Sequence, residues 1–216
     1  MQGEINDLQT HMYYQKKGFD NLAEQNSYEQ VALTGIGEYC FINSTVSRYE
    51  GKETGYSLNL ILTPEVEGTV REVANRILDV AQNPNWEYSK NKKVPKGNWM
   101  PREMLINKLI KEKDDGTKYI VCKAHHLNKN GERVYLPIFN RFGQLPEDEA
   151  KEVRIFGGSK VAVEVTMYVY YLPTGMQGIK VKLRSVQILE DNKSTGSPVG
   201  SSFKFDQQGI DEEVPI

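Results

Sequence analysis

A chain of 216 residues and 24.6 kDa, 38% hydrophobic with a mean hydropathy of -0.57, has material for one domain with extensions or at most two small ones. No run nears the roughly 18 apolar residues of a membrane span, and the first residues lack an apolar signal core, so neither a spanning nor a secreted protein is expected. The net charge of -2 excludes a uniformly basic nucleic-acid binder, but the charge is unevenly held. From Asp191 onward five acids (Asp191, Asp206, Asp211, Glu212, Glu213) face two lysines (Lys193, Lys204), a net of -3 that leaves +1 for the rest.

Residues 1–30 are polar, with Tyr13, Tyr14, Lys16, Lys17 and Phe19 clustered among them, and are expected to form an N-terminal arm ahead of a domain spanning 31–190. In 31–46 β-branched and aromatic residues predict a first long strand that Gly35 and Gly37 allow to bend. After a charged loop at 51–55, Tyr56, Leu58, Leu60 and Leu62 alternate in a second strand. Thr63 as N-cap and Pro64 at the first helical position then start a helix. Its Val66, Val70, Val73, Ala74, Ile77, Leu78 and Ala81 form one stripe facing the core, and Asn83-Pro84 ends it.

The stretch 86–102, WEYSKNKKVPKGNWMPR, interleaves Trp86, Tyr88 and Trp99 with Lys90, Lys92, Lys93, Lys96 and Arg102 against the single acid Glu87. Either its tryptophans fold back onto the body or it is a clamp over single-stranded nucleic acid, since stacking and basic side chains recur together. Residues 118–126 predict a third strand on which Tyr119, Val121, Lys123 and His125 share a face. Residues 133–139, after the Asn130-Gly131 turn, are its expected hairpin partner. The acidic 146–152 is expected to be a solvated loop. Cys40 and Cys122, in apolar strand patterns, are expected to be free thiols of a reducing cytoplasm. His125-His126 has no partner motif and suits strand surface better than a metal site.

The most informative stretch is 157–189, a long hairpin. Val161, Val163, Val165, Met167, Val169 and Tyr171 form the apolar row of its first arm and Ile179, Val181 and Leu183 that of its second, with 172–175 as the turn. The phase shift to Val186 and Ile188 predicts a bulge near Ser185. Matching the apolar rows sets Tyr168 and Tyr170 beside Lys180, Lys182 and Arg184. Such a face is either a solvated surface with cation-π pairs or a surface for single strands, where rings stack on bases for about 1–3 kcal/mol each and cations track phosphates.

Short curved strands, one mid-chain helix and a terminal hairpin make the chain mainly β and suit an OB fold, a partly open Greek-key barrel; a plain β-sandwich is the alternative. Beyond it, 191–216 begins as a Ser/Gly/Pro linker and ends as an acidic tip, expected to be disordered without a partner. It is either a solubilising tail or a docking peptide in which Asp211, Glu212 and Glu213 meet a basic rim while Val214, Pro215 and Ile216 fill a pocket. No Walker-type loop or Ser/His/Asp signature points to an enzyme or a cofactor, and the acids cluster only in 146–152 and the tail, both poor scaffolds for a rigid metal site.

Residues 92–190 resemble the single-stranded DNA-binding proteins of short-tailed, podovirus-like bacteriophages, an OB-fold family with an acidic C-terminal tail. The resemblance rests on Lys92-Lys93 with Pro95, Gly116-Thr117 before Cys122 and Ala124, Gly157-Gly158-Ser159-Lys160, and Lys182-Leu183 with Ser185-Val186. It implies DNA binding through Tyr170, on the face that alternation alone singles out; the pattern of the residues adds Tyr168, Trp86 and Trp99 for stacking and Lys92, Lys93, Lys96, Lys123, Lys180, Lys182 and Arg184 for the phosphates. It implies no catalysis, a cytoplasmic setting in an infected bacterial host, and replication or recombination partners recruited by the tail; pairing with a second copy stays open. Ala162 and Glu164 stand where the family tends to have lysines, and Thr54 where it has an arginine. A β-rich virion or DNA-annealing scaffold protein is the contrasting function.

Overall fold

The computed structural model describes residues 27–83, 87–89, 92–93, 99–172 and 174–192, with backbone alone at 87–89 and 92–93. Strand β1 (Tyr28–Phe41) starts inside the stretch expected to be an arm. Its odd positions Leu33, Gly35 and Gly37 are buried and its even positions Tyr28 to Ile36 exposed, the period of a wall with one dry face. Gly35 is needed where β1 crosses β3, because a Cβ there would collide with the Ile61 carbonyl oxygen. The register then slips between Glu38 and Phe41, with Tyr39 at φ 48°, so a bulge reverses the phase of the last residues.

Strand β2 (Ser47–Tyr49) turns back into β3 (Lys52–Ile61) through Glu50 and Gly51, both at positive φ, as a type I′ hairpin requires. The stretch 51–55, expected to be a loop, is therefore mostly strand. Helix α1 (Pro64–Ala81) begins as predicted: the Thr63 hydroxyl accepts from the Val66 N–H at 3.3 Å, and Pro64 occupies the first turn. Its buried stripe of Val70, Val73, Ala74, Ile77, Leu78 and Ala81 packs on β1 and on β10, described below.

The chain continues through β4 (Glu87–Ser89) and β5 (Lys92–Lys93), a separate two-stranded sheet, into α2 (Arg102–Leu109). Next come β6 (Lys111–Glu112), β7 (Lys118–Ala124), β8 (Ile138–Asn140), β9 (Gly143–Gln144), α3 (Glu147–Glu152), β10 (Ser159–Tyr171) and β11 (Gln177–Glu190). Two expectations are corrected here. Residues 133–139 do not pair along β7: a single bridge joins Leu127 to Arg133, after which the chain leaves to place β8 parallel to β11. The acidic 146–152 is a helix rather than a loop, because Ala150 is buried and its carbonyl accepts from Asn43 Nδ2 at 2.8 Å.

The sheet closes. β1 pairs with β10, β10 with β11, β11 with β7, β7 with β3 and β3 with β1, all antiparallel except the β11–β7 contact at Lys182 and Lys123. This circuit of five strands is the Greek-key barrel expected from the sequence, an OB-type fold, rather than two stacked sheets. Leu58, Leu60, Ile120, Cys122, Val161, Val163, Val165, Met167, Leu183 and Val186 point inward, each at most 1% exposed. Helix α2 packs on β11 and α1, with Arg102 bonded to Asp79 at 2.6 Å. Asn43, 1% exposed, ties the β1–β2 connection to the wall: its Nδ2 donates to Leu136 O and Ala150 O, and its Oδ1 accepts from Leu136 N. Both cysteines are free, and burial, joined at Cys40 by the nearby Glu38 carboxylate, pushes both thiols up to about 12, so neither is a thiolate at neutral pH. No helix among the described residues is long and apolar enough to cross a membrane.

Candidate nucleic-acid interface

The outward face of β10 and β11 is set by their register. Val165 faces Leu183, Met167 faces Val181 and Val169 faces Ile179 on the inner side, so the alternate positions meet outside: Thr166 with Lys182, Tyr168 with Lys180, Tyr170 with Gly178. The register slips between Glu164 and Val165, which puts the bulge at Arg184 and Ser185, where the phase shift predicted it. β1 extends the face, setting Tyr28 opposite Tyr168 and Gln30 opposite Thr166. Through the parallel contact of Lys182 with Lys123, β7 joins from the other side.

Tyr170 lies across its neighbour strand. A Cβ at Gly178 would come within 3.0 Å of three atoms of the Tyr170 side chain, so the ring occupies the space that any larger residue at 178 would fill. Lys180 Nζ is 5.0 Å from the centre of that ring. The glycine thus leaves room for the Tyr170 ring to lie across β11, with the Lys180 ammonium over it.

Among the described residues no carboxylate lies within ion-pair distance of Lys123, Lys180, Lys182 or Arg184. Elsewhere Lys113 holds Glu38 at 2.6 Å, Lys118 holds Glu67 at 2.9 Å, Arg76 holds Glu29 at 2.6 Å and Lys160 holds Glu190 at 3.1 Å. The Lys118 and Arg71 hydrogen bonds keep the Glu67 carboxyl below its ordinary range, and the Glu38 carboxylate raises Lys113. Four unpaired cations on one wall leave a positive potential there although the whole chain is slightly acidic. Beneath them Thr166, 8% exposed, has a hydroxyl with no hydrogen-bond partner among the described residues.

The structure brings Tyr168, Tyr170, Lys180, Lys182, Arg184 and Lys123 together. Trp99 is not on that row: it is half-buried and meets Tyr171, of the opposite strand parity, edge to face at 5.2 Å. Met100 N donates to Gln177 Oε1 at 2.7 Å beside it, so 99–100 brace the hairpin tip. Trp86, Lys96 and the tail residues Asp211, Glu212, Glu213, Val214, Pro215 and Ile216 lie outside the described residues, and Lys92 and Lys93 are described as backbone only. His126 Nε2 meets Glu53 at 3.1 Å, and the described residues contain no group of three or more His, Cys, Asp or Glu side chains placed to hold a metal ion. Tyr28 and Phe41 on β1 were missed by the sequence pattern; Tyr28 fell within the expected arm, and the β1 bulge hid the phase of Phe41.

No family model and no curated protein sequence matches the chain. Solved structures do. The single-stranded DNA-binding protein from bacteriophage Enc34, in complex with ssDNA, superposes with a TM-score of 0.52 at 17% identity, covering 81% of this chain and 90% of that one. The chain has the fold of a phage single-stranded DNA-binding protein. Similarity extends to gp2.5, a single-stranded DNA-binding protein encoded by bacteriophage T7, with a TM-score of 0.50 at 19% identity over 84% of this chain and 97% of that one. At such identities the likeness carries the barrel and not its side chains, so the chemistry of the face rests on the residues described above.

Proposed function

We propose that the protein binds single-stranded DNA without strong sequence preference on the outer face of β10, β11 and β7, and acts by coating the strand rather than by catalysis. The observation that carries this is the register that sets Tyr168 and Tyr170 among Lys180, Lys182 and Lys123, cations with no acidic partner among the described residues. Rings stack on any base and cations follow the backbone, so such a face favours single strands irrespective of sequence. The solved phage proteins of the same fold, described as single-stranded DNA-binding, add support. Tyr170 is the principal platform, Tyr168 the second, and Lys123, Lys180, Lys182 and Arg184 take the phosphates. Trp86, Lys92, Lys93 and Lys96 supply further contacts from the basic stretch, while Trp99 steadies the hairpin tip. The acidic tip, Asp211, Glu212 and Glu213 with Val214, Pro215 and Ile216, recruits replication or recombination enzymes in the cytoplasm of an infected bacterium.

Titration with oligo-dT, oligo-rU and duplex at two salt concentrations tests this. Trp99, in contact with Tyr171 near the platform, and Trp86 are the two tryptophans and report binding by fluorescence. Oligo-dT is expected to bind with a log-log salt slope of about -0.7 per contacted phosphate, and duplex weakly. Oligo-dT binding that is absent, or indifferent to salt, would sink the reading.

A further inference from the structure

The cation row does not end at the hairpin. Around one hoop of the barrel the outward positions run Thr166, Lys182, Lys123, Ser57 and Phe41, each paired in register with the next. With about 4.8 Å between neighbouring strands, the hoop carries the surface roughly 19 Å from β10 to the far end of β1. Phe41 stands there 37% exposed, outside the core cluster. It forms one wall of a groove of about 350 Å³ whose lining includes Val46, Arg48, Glu53 and Arg133.

The groove repeats the chemistry of the hairpin face. Phe41 offers a ring and Val46 an apolar wall, with two guanidinium groups beside them. Arg133 is held in place: its Nε donates to Tyr56 Oη at 3.5 Å, its Nη2 donates to Asn43 O at 3.4 Å, and its guanidinium lies 5.9 Å from the Tyr135 ring centre. Glu53 is the only carboxylate in the lining, and it is engaged by Arg48 at 3.2 Å and by His126 Nε2 at 3.1 Å. The Arg48 side chain remains 67% exposed, and an exposed pair of this kind is weak enough to yield to a phosphate. Planar guanidinium groups also suit phosphate oxygens in pairs and stack on bases, as ammonium groups do not.

We propose that this groove is a second subsite for the same strand: a base stacks on Phe41 while Arg48 and Arg133 hold the phosphates that flank it. The proposal rests on single-stranded DNA binding at the hairpin face, and the hoop through Lys182, Lys123 and Ser57 is the path between the two.

Oligo-dT of about 4 and about 12 nucleotides, within the span a single barrel covers, separates the two subsites. The full chain and its Phe41→Ala and Arg48→Ala variants are titrated with both. Phe41→Ala is expected to lose about 5- to 100-fold on the longer strand and less than about twofold on the shorter one, which also shows the variant to be folded. Arg48→Ala is expected to flatten the salt slope on the longer strand by about 0.7. Wild-type affinity of both variants for the longer strand overturns the second subsite and leaves the hairpin face standing, as does an equal loss on both lengths. Failure of the unaltered chain to bind either length overturns both.

Discussion

Near its tip the β10–β11 hairpin sets Tyr168 against Lys180 and Thr166 against Lys182, with the Lys180 ammonium over the Tyr170 ring and no carboxylate in ion-pair reach of either lysine among the described residues. Toward its base the same strands set Lys160 against Glu190 at 3.1 Å, and Ser185 Oγ donates to Glu164 Oε2 at 3.2 Å. Both halves have the same alternation and the same inner row of apolar residues, so burial does not distinguish them. Neutralisation does. A lysine whose charge is answered within the protein contributes little field to its surroundings, whereas an unanswered one attracts an anion from solution. The tip half is built to meet something negative and flat, and the base half to stay shut.

Reversing charge on the tip breaks this difference most directly. The double variant Lys180→Glu with Lys182→Glu is expected to lower oligo-dT affinity by about a hundredfold or more at moderate salt and to flatten the salt slope by about 1.4, two phosphate contacts' worth. Filter binding at two ionic strengths measures both. Removal of the ring comes next. Tyr170→Ala is expected to cost about 1–3 kcal/mol of binding with the salt slope unchanged, because stacking releases no counterions. Trp99→Ala, which removes a brace under the same tip, should instead lower the melting temperature while the affinity of the folded protein holds.

How much of this could be read from the chain differs by element, for physical reasons. The apolar rows of β10 and β11 run long enough for alternation to decide strand, face and register, and the phase shift at Val186 marked the bulge the register shows. Helix α1 announced itself through Thr63, Pro64 and its stripe. Helix α2 did not: it has 8 residues, no side-chain cap, and only Leu105, Ile106 and Leu109 buried. In α3 only Ala150 is buried, so an acidic composition masked a helix that an asparagine far away in sequence holds by its carbonyl. Barrel closure rests on one parallel contact, between Lys182 and Lys123, two exposed lysines that carry no pattern signal. The candidate site was legible on the hairpin, where period 2 persists. It was illegible at Phe41, where a bulge breaks the period.

A subtler perturbation leaves the ring in place and moves it. In Gly178→Ala the new methyl group meets the Tyr170 ring, in contact with its hydroxyl oxygen at 2.8 Å, and the ring must lift from the wall. Affinity for oligo-dT is expected to fall several-fold, about 1 kcal/mol, less than on losing the ring outright, since a tilted tyrosine still stacks. Tyr170→Ala combined with Gly178→Ala should then be no worse than Tyr170→Ala alone, because the glycine acts only through the ring. An additive double variant would show that position 178 matters for the strand in its own right.

The smallest effect is expected at the base of the hairpin, and it is the most exacting test of the comparison. Lys160 and Glu190 are an exposed pair, 46% and 73% accessible, of a kind worth at most about 1 kcal/mol. Lys160→Ala removes a positive charge from the same two strands that carry Lys182, and if nearness to the hairpin were enough to matter, affinity would fall. If neutralisation is what separates the halves, the loss of a lysine already answered by Glu190 should change oligo-dT binding by less than about twofold, the unpaired Glu190 acting through solvent that screens it within about 10 Å. A drop comparable to that of a single tip lysine would mean that the strand runs the length of the hairpin and displaces Glu190, and the base would then belong to the site.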